Sequence, residues 1–182
     1  MTKILSNKKN KSKSVLSLTF FLFILYFIVS FTSCGVYSFS GASVPSHLKS
    51  ISIPIAEDRS GSGEPGLREL LTNQLIQKFI DDNSLQVAER GKANANLEST
   101  ITGFTDTPNI VAAGDKITSR RLTISVKVIY YDNVRKKKIF DKTFSNYGDY
   151  PPAGKLNDRK DAINTAINRI TQDILLSVVS GW

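Results

Sequence analysis

Few side chains in this 182-residue chain are of a type that does chemistry, and their spacing excludes most reactions. There is one cysteine, Cys34, and one histidine, His47. A thiol nucleophile needs its base in the same packed cleft, and His47 follows Pro45 in a small, polar stretch too early in the chain for that. A single cysteine also excludes an internal disulfide. Neither a paired-histidine zinc helix, a CxxC pair, a GxSxG elbow nor a glycine-rich phosphate loop occurs. Asp81 and Asp82 adjoin at the end of a helical pattern, where paired acids act as a stop, and Gly114-Asp115-Lys116 reads as a turn. The expectation is therefore no catalytic residue, no metal and no cofactor. What remains is positive charge. Arg120, Arg121, Lys127, Lys142 and the run Arg135, Lys136, Lys137 and Lys138 could form one rim that draws phosphate or acidic sugars by charge focusing. A solvated turn is the plainer reading of the run.

Cys34 is explained by what precedes it. Lys3, Lys8, Lys9, Lys11 and Lys13 form a basic segment with no acid. Val15 to Phe31 is an apolar run broken only by Ser17, Thr19 and Ser30, and Thr32-Ser33 are small residues directly before the thiol. This is the layout of an export signal, residues 1–33, ending in a processing site. The run is long enough to be weighed as a membrane-spanning helix, but the small residues at its end argue for cleavage. FTSCG at 31–35 resembles a relaxed bacterial lipobox, with Phe31 where the commonest form has Leu. That resemblance implies diacylglycerol on the Cys34 sulfur, cleavage before it and acylation of the new amine. Several acyl chains at about 0.8 kcal/mol per buried methylene give a lasting anchor.

Removal of the leader takes away five lysines, so that 19 basic residues face 16 acidic ones and the net charge falls from +8 to +3. The basic excess belongs mostly to the signal, which is no phosphate footprint, and nucleic acid is not expected as a partner.

The elements that must position the remaining residues follow from periodicity. Residues 34–49 read as a lipidated tether, and 50–182 as one domain. Ser50 to Ile55 alternates as a strand, with Pro54 at a strand end or sheet edge. Residues 56–66 are loop by composition. Residues 67–82 place Leu67, Leu70, Leu71, Leu75 and Phe79, with Ile76 and Ile80 in part, on one helical face. Residues 85–88 and 95–107 read as strands, the second with Leu97, Ser99, Ile101 and Gly103 on one face. Pro108 to Ser119 reads as loop. Arg121 to Tyr131 alternates cleanly, with Leu122, Ile124, Val126, Val128 and Tyr130 inward, and Asp132-Asn133 turns it into a hairpin with 136–150. Asn157 or Asp158 caps a final helix running to Val179, with Asp161 completing the cap. Two single-faced helices and a sheet with one apolar face define an α+β, two-layer sandwich. Its sheet is mostly antiparallel or mixed, with four to five strands, and both amphipathic helices lie on one face.

Three stretches carry a family resemblance: CGVYSFSG at 34–41, RLTISVKV at 121–128 and FSNYGDY at 144–150. They stand in the order leader, alternating first strand, hairpin and C-terminal helix. In this pattern the chain resembles the LptE family of lipopolysaccharide-assembly lipoproteins as found in Bacteroidetes. The resemblance implies a small α/β sandwich, lipid-anchored through Cys34 at the periplasmic face of the outer membrane. It also implies an LptD-type β-barrel and lipopolysaccharide as partners, a role as plug and assembly factor, and no enzymatic turnover. Arg121, Lys127, Arg135, Lys136, Lys137, Lys138 and Lys142 are the candidate contacts. The alternative is an accessory or binding lipoprotein of another envelope secretion or transport complex.

Overall fold

The computed structural model describes residues 44–112, 116–153 and 155–180. The signal 1–33, Cys34, the first part of the tether, Gly114 and Asp115 lie outside the described residues. Eight elements follow: β1 Ser50–Ser52, β2 Glu57–Asp58, α1 Leu67–Asp82, β3 Gln86–Val87, β4 Ala95–Ala112, β5 Lys116–Asp132, β6 Lys137–Tyr150 and α2 Leu156–Ser180.

The sheet has six strands in the order β3-β1-β4-β5-β6, with β2 also paired to β4. It is mixed. β1 runs parallel to β3 and β4, and β2 parallel to β4, while β4-β5 and β5-β6 are antiparallel. The arrangement is the expected α+β one, with a sheet larger than four to five strands. The extra strand is β2, two residues within the stretch read as loop and too short to leave a periodic signal, whereas β3 falls inside the strand read at 85–88. Pro54 falls just past the end of β1.

The core lies between the helices and one sheet face. Leu122, Ile124, Val126, Val128 and Tyr130 of β5 are fully buried, as read from their alternation. Against them pack Ile163, Ala166, Ile167, Ile170, Ile174 and Val178 of α2, while Leu67, Leu71, Leu75 and Phe79 of α1 join the same core beside α2, β2 and β3. Each large apolar side chain so buried contributes about 1.5–3 kcal/mol. Ile80 is the exception: at 53% exposed, it lies outside the apolar face of α1. Asn83 ends α1 by adopting the left-handed conformation (φ 56°) and giving its N–H to the Phe79 carbonyl, a C-terminal cap open to asparagine.

Three features depart from the sequence reading. First, Pro108 to Ser119 is mostly strand, because β4 continues to Ala112 and β5 begins at Lys116. β1 and β2 leave the outer edge of β4 at Asn96 and Ile101, so Pro108 sits on an edge, where its missing N–H is tolerated. Register shifts around Pro108 and Ile110 absorb the irregularity.

Second, Gly103 does not share the face of Leu97, Ser99 and Ile101. Ile101 pairs with Val126 and Gly103 with Ser125, leaving Thr102 as the inserted residue of a bulge. A bulge reverses the alternation beyond it, so Phe104 and Asp106 turn to the helix side, opposite Ile124 and Leu122.

Third, the cap of α2 lies earlier than expected. Asp158 Oδ2 accepts the Lys155 N–H at 2.7 Å, which is the returning arm of a capping box, and the Asp161 carbonyl instead accepts from Thr165.

Candidate interaction surfaces

The sheet face away from the helices is polar and cross-paired. Arg121 and Asp149 stand opposite each other on β5 and β6 and meet in a two-pronged contact, Nε to Oδ1 at 2.7 Å and a terminal nitrogen to Oδ2 at 2.8 Å. The guanidinium lies 3.7 Å from the Tyr147 ring centroid. Donation from Arg121 holds the Asp149 carboxyl below its usual range. Four residues along the strand, on the same face, Ser125 and Ser145 share a hydrogen bond of 3.0 Å. Further along, Asp141 stands between Lys138 at 3.1 Å and Lys127 at 3.4 Å, and the Lys138 hydrogen bond lowers its pKa first of all.

A groove of about 490 Å³ runs beside this pair, lined by Ile55, Arg59, Arg90, Glu98, Lys127 and Ile129 among others. Ile55 is 56% exposed at its wall. Arg59 is paired with Glu57, and Arg90 with Glu98, so the groove presents two internal ion pairs, the Lys127 cation, and the apolar Pro54, Ile55 and Ile129.

The candidate cations therefore do not form one rim. Arg121, Lys127 and Lys138 lie on the open face, each within reach of a carboxylate. Lys142 stands opposite the buried Val128, which places it on the helix side of the edge strand, 5.2 Å from the Phe140 ring centroid. Arg135, Lys136 and Lys137 are exposed at the β5-β6 turn. None of these three has an ion-pair partner among the described residues.

The same turn is tied to the start of the folded body. His47 Nε2 lies 2.7 Å from Asp132 Oδ2, and Asp132 Oδ1 accepts the backbone N–H groups of Val134 and Arg135, both at 2.9 Å. Burial works against the charged carboxyl, but these donors together hold its pKa below the ordinary value. His47 is thus a packed residue and Leu48 beside it belongs to the core.

At the opposite end lies a cluster that sequence reasoning did not assemble. Arg120 donates to Asp106 Oδ1 at 2.9 Å and to the Asp106 carbonyl at 3.0 Å. The Tyr150 hydroxyl donates to Asp106 Oδ2 at 2.5 Å, and burial, then this bond, raises its pKa. Arg159 of α2 pairs with Glu64 at 2.7 Å and approaches Asp106 at 3.7 Å. Arg120 shares the face of Leu122, two residues on, once β5 is seen to begin at Lys116. The side of Asp106 depends on the Thr102 bulge, which has no sequence signal.

None of these constellations holds a nucleophile beside a base. Among the described residues no three His, Cys, Asp or Glu side chains converge as a metal site, and no helix is long and apolar enough to cross a membrane.

A helix-backed mixed sheet whose open face carries paired charges defines a small two-layer α+β domain. The chain belongs to the LptE lipopolysaccharide-assembly family, whose model matches residues 48–178; this is a family of non-enzymatic assembly lipoproteins. Solved structures share the fold at low identity. The protein CT253 of Chlamydia trachomatis superposes with a TM-score of 0.57 at 9% identity, covering 72% of this chain and 95% of that one. The protein XCC0632 of Xanthomonas campestris gives 0.56 at 13%, covering 76% and 90%. The rare lipoprotein B of Shewanella oneidensis gives 0.50 at 14%, covering 73% and 96%. No curated protein sequence matches the chain significantly.

Proposed function

We propose that this chain is an outer-membrane lipoprotein, anchored through Cys34 at the periplasmic face, that plugs an LptD-type β-barrel and assists its assembly for lipopolysaccharide transport to the cell surface. The family match over residues 48–178 carries the reading. The open sheet face supports it physically. A barrel lumen is polar, and a plug should keep its apolar residues inside while offering short polar and paired charged side chains outside. Thr123, Ser125, Thr143 and Ser145, flanked by the Arg121-Asp149 and Lys127-Asp141 pairs, have that character. Lys127, Lys138, Arg121 and Lys142 are the contacts this reading offers to the barrel or to acidic groups of lipopolysaccharide. Arg135, Lys136 and Lys137 lie at the end where the described chain enters the fold.

The experiment is purification of the tagged, full-length lipoprotein from detergent-solubilised outer membrane. The expected result is recovery of a large β-barrel partner together with lipopolysaccharide, and, on depletion, newly made lipopolysaccharide held short of the surface. Recovery with a different envelope complex and no barrel overturns the reading.

A further inference from the structure

We propose that the β5-β6 turn, Val134 with Arg135, Lys136 and Lys137, is a membrane-surface contact that rests on anionic phospholipid headgroups of the leaflet holding the anchor. The proposal rests on lipidation of Cys34 and concerns the lipoprotein before it engages a partner.

Three observations lead to it. The chain enters the fold at this end of the sheet. The His47-Asp132 contact of 2.7 Å fastens the incoming segment to the root of the turn, Leu48 is buried beside it, and the Lys49 N–H is held by Asn94. Only twelve residues separate Cys34 from His47, a span of about 45 Å at full extension, so an anchored protein presents this end to the bilayer first.

The turn is also preformed. Asp132 accepts two of its amides, and the Asn133 backbone and side chain bond to the Asn94 and Ala93 carbonyls. Little backbone-ordering cost then falls on binding.

Its chemistry is that of a surface contact. Three cations with no ion-pair partner among the described residues directly follow Val134, an apolar side chain 53% exposed. The acids at this end are engaged elsewhere: Asp132 by His47 and the turn amides, Glu89 by Lys92 at 2.7 Å, Asp81 by Gln77 and Asp82 by the Ser84 N–H. A basic patch beside a lipid anchor is the second signal that fixes a protein's stance on an anionic bilayer, and its strength falls with salt.

The test uses the full-length lipoprotein reconstituted into vesicles, with a fluorophore at Val134→Cys or, as control, at Thr107→Cys. Thr107 is exposed, and roughly 35–40 Å along the hairpin from the turn at the usual strand rise. Quenching by a lipid-borne nitroxide is compared in phosphatidylglycerol-containing and pure phosphatidylcholine vesicles, and fatty-acid labelling of Cys34 is scored on the same preparation. The expected result is strong quenching at position 134 on phosphatidylglycerol, weak quenching at 107, and loss of the signal in high salt. Reversing Arg135, Lys136 and Lys137 to Glu should lower the equilibrium constant for membrane contact of the turn by about fivefold or more per residue, with an unchanged circular dichroism spectrum. A fatty-acylated protein whose position 134 stays unquenched, or is quenched equally after charge reversal, overturns the membrane contact and leaves the anchor intact. Quenching on lipopolysaccharide-bearing vesicles alone overturns it in favour of a lipopolysaccharide contact. An unacylated Cys34 overturns the anchor reading and this contact with it.

Discussion

His47 and Asp132, 85 positions apart in the chain, meet at 2.7 Å and join the entry segment to the β5-β6 turn. Asp132 is buried, so removing its partner leaves a desolvated carboxylate short of a donor. His47→Ala should therefore cost about 1–3 kcal/mol in denaturant unfolding. The pH dependence follows from the sign of the shift. The folded-state pKa of Asp132 is lowered, so its stabilisation is fully present above the ordinary value of about 3.9 and is lost as pH falls through the folded value. Asp132→Asn keeps the oxygen that accepts the turn amides but loses the charge. It should flatten the acid limb of the stability profile, and a profile unchanged below pH 4 would show that the pair is not linked to folding.

Gly148 faces the backbone of Ala162, where a Cβ would collide with the α2 carbonyl. The obstacle is main chain, which cannot rotate away. Gly148→Ala should separate β6 from α2 and destabilise by about 1–3 kcal/mol, the usual cost of overpacking. The same change at Gly103, where Ser125 Cβ is 3.4 Å away, should cost less. Thermal melts of the two variants give the comparison, and equal losses would contradict the close approach.

Legibility in the sequence followed the length of the pattern. β5 alternates over eleven residues with bulky inward side chains, and every one of those from Leu122 to Tyr130 is buried. α1 repeats its apolar face often enough that its bounds were read as observed, Leu67 to Asp82. β2 is hidden because two residues have no period, whereas β3 falls inside the strand read at 85–88; the β4-β5 extension is hidden because Pro108 and the Gly114 turn composition read as loop. The charge map is incomplete in the sequence for a different reason. Arg121, Lys127 and Lys138 were assigned by sign alone, and only the register of β5 on β6 shows that Asp149 and Asp141 stand against them. Gly148 could not have been singled out, since its tight contact comes from α2.

Tyr150 tests the far-end cluster. Its hydroxyl donates to Asp106 and accepts from Arg120 at 3.2 Å. Tyr150→Phe removes both bonds while leaving the ring, and should cost about 0.5–1.5 kcal/mol by denaturant titration. Combining it with Arg120→Ala should give less than the sum of the single losses, because the two share Asp106. Strict additivity would show that the cluster does not act as a unit.

Cys34→Ser tests the anchor. Without the thiol no diacylglycerol can attach, and the chain should accumulate as precursor retaining its lysine-rich leader, read by intact mass. Normal processing and membrane retention of this variant would exclude lipidation.

Two isoleucines separate the apolar face of a helix from its solvated side. Ile170 of α2 is fully buried against the sheet, whereas Ile80 of α1 is 53% exposed, although both fall near helical repeats of apolar residues. Truncating Ile170 to Ala removes packed methylene groups and leaves a cavity that close-packed neighbours fill only in part, a loss of about 2–5 kcal/mol. Ile80→Ala removes side chain already in water and replaces a β-branched residue with the best helix former, so stability should change by about 0.5 kcal/mol or less. Chemical denaturation of the pair, with the slope monitored to confirm an unchanged transition, checks this directly. A small loss at Ile170, or a large one at Ile80, would mean that α2 does not pack on the sheet as described, or that α1 has a second buried face.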